Sequence, residues 1–358
     1  LQSIHFSEKA AELSMGRNDK VRAKTATVEN RGPIELGILI YPGALMSAVL
    51  GLTDLFGVAN RLSEERVGAG AKQLRVSHWQ LSAENGTELE RIFDTHQQQP
   101  NKLVGLILPP NLDIDPQGAA IAKVQQWVET QHAAGCLICS ICGGAFMLAK
   151  TGLLNGRAAT THWTFAETFA DRFPQIQVQT EKLVIDDGDI ITAGGVMAWV
   201  DMGLKLVDRF IGPTIMLETA RFFLVDAAGR QQRFYSNFSP RLNHGDNSIL
   251  RVQQWLQSSD VSRVSVPMMA AKARMGERTF LRCFEKATGL TPTKYVQHLR
   301  VGKAREELEF SSLAIKEIGW KVGYEDYGAF RKVFQKIMGL SPRDYRLRFA
   351  VQPREISH

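Results

Sequence analysis

Cysteine is scarce in this chain. There are four in 358 residues, and three of them crowd into Cys136–Cys142. Thiols so few and so close together cannot build a disulfide framework, so a reducing cytoplasm is the expected compartment. Long apolar runs are missing as well. No stretch reaches the roughly 18 residues of a membrane span. The first residues lack a short apolar core followed by small cleavage-site residues, so neither a membrane partner nor a secretory leader is expected. The spacing Cys136-x-x-Cys139-x-x-Cys142 invites a metal reading, but the segment reads as a strand. Residues three apart on a strand point to opposite faces, so the three sulfurs cannot converge. No metal and no cofactor are expected.

What the chain does have is length, an uneven charge and a repeat. Its length suggests two domains with connecting segments. The net charge of +6 hides an asymmetry: residues 248–358 carry 20 Lys and Arg against 11 Asp and Glu, whereas residues 1–247 carry 23 against 26. A basic C-terminal part on a mildly acidic body suits a polyanionic partner. Within that basic part Phe280, Phe284, Lys286, Gly289, Leu290, Pro292 and Tyr295 recur fifty residues later as Phe330, Phe334, Lys336, Gly339, Leu340, Pro342 and Tyr345. Thr291 answers Ser341 in the same register. One supersecondary unit is used twice, and each copy sets two Phe on one helical face with basic residues on the other.

Along the chain, residues 1–33 are polar and lack periodicity, which predicts a disordered or tethered tail. From Ile34 the pattern alternates. Apolar strands are expected at Leu36–Tyr41, Leu74–Leu81, Leu103–Leu108 and Cys136–Ile141. Helices are expected at Met46–Arg61, Gln117–His132, Ala145–Lys150, Val196–Phe210 and Thr214–Leu224. Asp187-Gly188 marks a hairpin between Leu183–Asp186 and Asp189–Thr192. Strands alternating with helices predict a doubly wound α/β domain with a parallel sheet, spanning 34–228. Residues 229–247 have linker composition. The segment 248–350 reads as helices alone, with a short tail at 351–358.

Each repeat reads as helix, short turn, helix. The first runs from Val266 through a turn at Met275-Gly276 to Lys286. The second runs from Ile315 through Gly323-Tyr324 to Ile337. A third helical pattern, Arg300–Glu309, joins them. With Arg278-Thr279-Phe280, Thr288-Gly289-Leu290-Thr291-Pro292, Val322-Gly323-Tyr324-Glu325-Asp326 and Gly339-Leu340-Ser341-Pro342, the region resembles the AraC/XylS-type DNA-binding domain. That resemblance implies an all-α domain of seven helices carrying two helix-turn-helix units, which enter adjacent major grooves of double-stranded DNA. Gly276 and Gly319 depart from the family pattern, where Ser and Ala are usual. By helical phase and by the resemblance, Arg278, Leu281 and Arg282 in the first unit, and Tyr327, Arg331 and Lys332 in the second, face bases. Lys286, Lys294, Lys336 and Arg343 are expected on phosphates.

Cys142 follows an apolar strand and precedes Gly143-Gly144 and a helix, which is the pattern of a sharp elbow. A helix N-terminus there would favour a thiolate, and His162 follows twenty residues later. Tyr41-Pro42-Gly43, Cys142-Gly143-Gly144-Ala145-Phe146, Gly152-Leu153-Leu154-Asn155-Gly156-Arg157 and Thr161-His162-Trp163 are similar to the ThiJ/PfpI superfamily, also called class I glutamine-amidotransferase-like. This implies a flavodoxin-like α/β domain. Enzymes of that superfamily use an elbow Cys, a His, a carboxylate and backbone donors from a Pro-Gly-Gly turn. Here Ala48 stands at the carboxylate position and Asp54 belongs to a different patch. Pro110 replaces a Gly in Leu108-Pro109-Pro110-Asn111, removing an N–H donor.

The elbow set is therefore expected to line a ligand pocket or to be vestigial, with no catalytic residue. Trp163, Trp199 and Phe146 are candidates for a wall. The two resemblances together imply a cytoplasmic, homodimeric transcriptional regulator that senses a small-molecule effector and contacts RNA polymerase. The alternatives are a cysteine-dependent amidase- or peptidase-like enzyme, or a cysteine redox sensor, fused to a DNA-binding module.

Overall fold

The computed structural model describes residues 32–82, 88–96, 102–114, 119–226 and 231–351. The tails expected at 1–33 and 351–358 lie outside these residues, apart from Gly32, Pro33 and Val351.

The first part is built on β1 (Ile34–Ile40), α1 (Met46–Val67), β2 (Leu74–Leu81), β3 (Leu89–Asp94), β4 (Gly105–Leu108), α2 (Ala119–Ala133), β5 (Leu137–Ile141) and α3 (Gly144–Lys150). It continues through β6 (Ala158–Ala159), α4 (Ala166–Arg172), β7 (Gln177–Val178), β8 (Val184–Asp186), β9 (Ile190–Ala193), α5 (Trp199–Phe210) and α6 (Pro213–Phe222). Seven strands form one sheet in the order β3-β2-β1-β4-β5-β9-β8. The sheet is mixed rather than all parallel, because β3 pairs antiparallel with β2 and β8 antiparallel with β9. The hairpin signal at Asp187-Gly188 accounts for the second edge. β3 escaped the sequence reading because its residues are mostly exposed and give no apolar run.

Alternation along the central strands feeds two cores. In β1, Leu36 and Ile38 join a cluster with Leu52, Leu55, Phe56 and Leu206, from α1 and α5. Leu39 and Tyr41 point the other way, to Val124, Val128, Phe146 and Phe169, from α2, α3 and α4. The same rule separates Cys136 from Cys139, which lie in opposite cores, but it does not hold for Cys142: past the end of β5, on the turn, it shares the core of Cys139. Both faces of the sheet are covered, which is why its strands read as continuous apolar runs.

The second part is helical: α7 (Asn247–Ser258), α8 (Val266–Ala273), α9 (Glu277–Thr288), α10 (Pro292–Phe310), α11 (Ile315–Lys321), α12 (Tyr327–Met338) and α13 (Pro342–Phe349). The helix expected at Arg300–Glu309 begins earlier, at Pro292. The repeat explains why. Gly289 and Gly339 end α9 and α12 in the left-handed region, at φ 73° and 77°. Thr291 and Ser341 then cap the next helix by accepting from Lys294 N and Asp344 N, and Pro292 and Pro342 fill the first helical turn. Tyr295 and Tyr345 fold back edge-on against Phe284 and Phe334, with ring centroids 5.2 and 5.5 Å apart. Each copy thus owns an aromatic core, and α10 contributes to both: Tyr295 and Val296 to the first, Val301, Ala304 and Leu308 to the second.

Arg300 ties the two copies together. Its guanidinium donates to the carbonyls of Val261, Ser262 and Gly323 at 2.9–3.0 Å. Phe284 and Phe334 are both fully buried. Replacing either by Ala is expected to cost the helical part about 3–5 kcal/mol, and by similar amounts for the two copies. Urea unfolding followed by circular dichroism checks this; a loss below about 1 kcal/mol at either site would contradict the buried aromatic cores.

Candidate DNA interface and sensor cavity

The elbow is present and it is strained. Cys142 has φ 55°, in the left-handed region where a non-glycine residue is uncommon. Its N–H donates to Ala193 O at 2.7 Å, and its carbonyl accepts from Thr161 Oγ1 at 2.8 Å. Gly143 and Gly144 are small because the turn after β4 passes against them. A Cβ at Gly143 would lie 1.9 Å from Asn111 O, and one at Gly144 would lie 2.7 Å from Leu108 O. That turn is held from the other side: Tyr41 Oη donates to Pro109 O at 2.6 Å, and Leu45 N donates to Pro110 O at 2.9 Å. Pro110 thus offers a carbonyl to the start of α1 and has no N–H to offer the elbow. Ala48, in the first turn of α1, is fully buried.

A thiolate is not favoured at this elbow, contrary to the sequence expectation. Burial pushes the Cys142 thiol up to about 11, and the N–H groups of Gly143 and Gly195 offset this only in part. Desolvation outweighs the short helix that follows. His162 does not supply a base toward the sulfur by its Nδ1, because that nitrogen accepts from Thr164 N at 3.2 Å. Burial also lowers the imidazole's affinity for a second proton.

In the helical part the expected base-facing residues fall on the two second helices of the repeated units. Arg278, Leu281 and Arg282 are exposed on α9, and Tyr327, Arg331 and Lys332 are exposed on α12. Lys286, Lys294, Lys336 and Arg343 are exposed as well. Other basic residues are spent on structure: Arg300 as above, Arg305 on Tyr345 Oη and Ser236 O, and Arg346 on Leu313 O. The turn between α11 and α12 needs Gly323, at φ 93°, because a Cβ there would lie 2.6 Å from the Ser262 backbone. At the other departure from the family pattern, a Cβ on Gly319 would sit 3.1 Å from the Phe330 ring.

Comparison with known proteins agrees with both halves. Residues 106–209 match the profile of the DJ-1/PfpI family, and residues 269–348 match a helix-turn-helix domain profile. The chain joins a DJ-1/PfpI domain to an AraC-type helix-turn-helix domain. It is 26% identical over 242 residues to the HTH-type transcriptional regulator CdhR of Pseudomonas aeruginosa, covering 67% of this chain and 68% of that protein. It is 22% identical over 319 residues to the HTH-type transcriptional regulator GbdR of the same species, covering 89% and 85%. A shorter match, 30% identical over 112 residues, is to the isonitrile hydratase of Pseudomonas putida and covers 29% of this chain and 47% of that one.

A cavity of about 290 Å³ is lined by His162, Trp163, Gly195, Met197, Gln232 and Tyr235 among others. Of the elbow set expected to line a ligand pocket only His162 reaches it, while Cys142, Gly143, Gly144 and Pro110 are buried and do not line it. Of the aromatic residues considered as a wall, only Trp163 lines it. Phe146 packs in the core edge-on against Phe169, and the Trp199 ring fills the space over Gly51.

Sequence reasoning missed Gln232 because it sits in a stretch of linker composition. That stretch is docked, not free. The Gln232 amide nitrogen donates to Thr160 Oγ1, Thr161 O and Lys182 O at 2.9–3.1 Å, and its oxygen accepts from Trp163 N at 3.0 Å. Gln253 was missed likewise; it bonds Arg241 O and Tyr295 Oη from a fully buried position. A buried carboxamide surrounded by complementary groups can be recognised only once the fold has assembled them.

The raised Cys142 pKa gives a pH test. The thiol prefers its neutral form in the folded state, so its contribution to stability is complete below the ordinary value of 9.0 and is lost as pH rises toward about 11. In a Cys283→Ser background, alkylation at Cys142, located by peptide mapping, should be slow at pH 7–8 and keep rising about tenfold per pH unit, reaching a plateau only near pH 11. A labelling rate already at its plateau by pH 8 would overturn this.

Proposed function

We infer that this protein is a transcriptional regulator that binds double-stranded DNA through α9 and α12, with the DJ-1/PfpI domain as the input for a small-molecule effector. One observation carries the reading. Each of these helices buries a Phe pair on one side, and presents exposed cationic side chains on the other that are in no ion pair among the described residues. Uncompensated charge on an otherwise rigid helix is what a phosphate backbone and guanine edges attract. Arg278, Leu281, Arg282, Tyr327, Arg331 and Lys332 are assigned to bases, and Lys286, Lys294, Lys336 and Arg343 to phosphates. The two sets of base-facing residues differ, so one chain reads a directional rather than a palindromic site.

The effector site in this reading is the cavity at the carboxyl edge of the sheet lined by His162, Gly194 and Gly195, where open α/β folds take ligands; Cys142, Gly143, Gly144 and Pro110 shape the elbow and do not line it. An enzymatic role is disfavoured by the buried, neutral Cys142, by Ala48 and by Pro110. Each removes a part that covalent catalysis needs. The names of the related regulators support the same choice. A homodimer, contact with RNA polymerase and a cytoplasmic location belong to this reading. No helix among the described residues is long and apolar enough to cross a membrane.

The test is on DNA. Arg282→Ala should lower affinity for a selected duplex by about 5–150-fold, the equivalent of about 1–3 kcal/mol, and relax preference at one position. Lys286→Ala should weaken all sequences alike and reduce the slope of log affinity against log salt by about 1. Footprints of both variants indistinguishable from the parent's would sink the assignment.

A further inference from the structure

We propose that Gln232 is a latch whose occupancy of a carboxamide seat in the DJ-1/PfpI domain couples the effector cavity to the DNA-binding module. The inference rests on the reading of that domain as a sensor and concerns how its state reaches DNA.

The seat is built for a primary amide. Three acceptors, Thr160 Oγ1, Thr161 O and Lys182 O, surround the amide nitrogen, and one donor, Trp163 N, meets the oxygen. Gln232 is only 3% exposed. Residue 194 has to be glycine, since a Cβ there would lie 1.9 Å from the Gln232 amide nitrogen. The seat also adjoins the elbow, because Thr161 accepts the latch through its carbonyl and grips Cys142 O through its hydroxyl.

The residues that follow grip the other domain. Arg233 and Phe234 press onto Gly339 at the end of α12, where a Cβ would lie 2.3 Å from Arg233 Nε. Tyr235 Oη accepts from Arg348 at 2.9 Å, and its ring stands edge-on to Phe349 with centroids 5.5 Å apart. Ser236 O accepts from Arg305 at 2.6 Å. Five consecutive residues therefore hold both domains. Two of the cavity's lining residues, Gln232 and Tyr235, come from this strap, and a third, Gln231, directly precedes it. A ligand in the cavity touches the latch itself. It shifts the equilibrium between latched and released straps to the extent that it favours one of them.

The strap carries its own reporters: the amides of Tyr235 and Ser236 donate to Gln232 O at 2.9 and 3.0 Å. In the full chain Gln232→Glu replaces the donor with a carboxylate facing two carbonyl oxygens. Hydrogen exchange at Tyr235 and Ser236 should accelerate at least tenfold, exchange in α12 and α13 should rise with it, and affinity for a duplex selected in vitro with the parent chain should change at least fivefold. Gln232→Ala should do the same and serves if the charged variant does not fold. Strap exchange equal to the parent's overturns the latch. A released strap with unchanged α12 and α13 exchange and unchanged DNA affinity overturns the coupling. Arg282→Ala separates the two readings: if it loses binding while Gln232→Glu behaves as the parent, DNA recognition stands and the latch falls. If the parent selects no duplex, DNA recognition falls and the exchange result alone judges the latch.

Discussion

A Cβ at Gly143 would lie 1.9 Å from the Asn111 carbonyl oxygen, and one at Gly194 would lie 1.9 Å from the Gln232 amide nitrogen. These two close approaches lie at the sheet's carboxyl edge, one at the elbow and one where the strap docks. The first lets the turn after β4 cross the elbow and forces Cys142 into the left-handed region. The second lets a side chain from outside the α/β domain enter it. A protein interior is packed too densely to absorb a methyl group at either point without moving backbone. The elbow and the docked strap meet at Thr161, which donates to Cys142 O and accepts from Gln232. The same device recurs at Gly339, where Arg233 and Phe234 rest on the helix-turn-helix module.

The elbow keeps the geometry of a nucleophile site without its electrostatics. Strain at Cys142 is retained, yet the thiol is buried against apolar neighbours and two N–H groups, and it stays neutral. Backbone strain persists only where the surroundings over-determine it, and here glycine contacts and the Thr161 grip do so. A strained elbow carrying a neutral thiol accords with the proposal that the domain holds a ligand rather than transforming one. In the helical part the half-buried basic residues Arg300, Arg305 and Arg346 are committed to backbone carbonyls, whereas Arg278, Arg282, Arg331 and Lys332 stay exposed on α9 and α12.

Much of this was legible in the sequence, for a reason that differs by region. The repeat was readable because every one of its positions has a local cause: Gly at a left-handed helix end, Thr or Ser as the cap, Pro in the first turn, and Phe and Tyr at helical spacing. The elbow was readable because only small residues permit the turn. β3 was not, since a solvated edge strand leaves no apolar run. The length of α10 was understated because its first turns belong to one aromatic core and its last turns to the other.

The sequence by itself determined the two domain types, the buried aromatic stripes and the exposed cationic faces, because these follow from periodicity, capping and turn chemistry within short stretches. Tertiary structure alone decided that Cys142 is neutral, since desolvation depends on what closes over the thiol. It also decided that Arg300 is a brace rather than a DNA contact, since its three carbonyl partners come from distant turns. And it turned a stretch of linker composition into a strap. The amide of Gln232 is satisfied by four groups that lie 50 or more residues away in the chain, and hydrogen bonds of that kind exist only after the fold has brought them together.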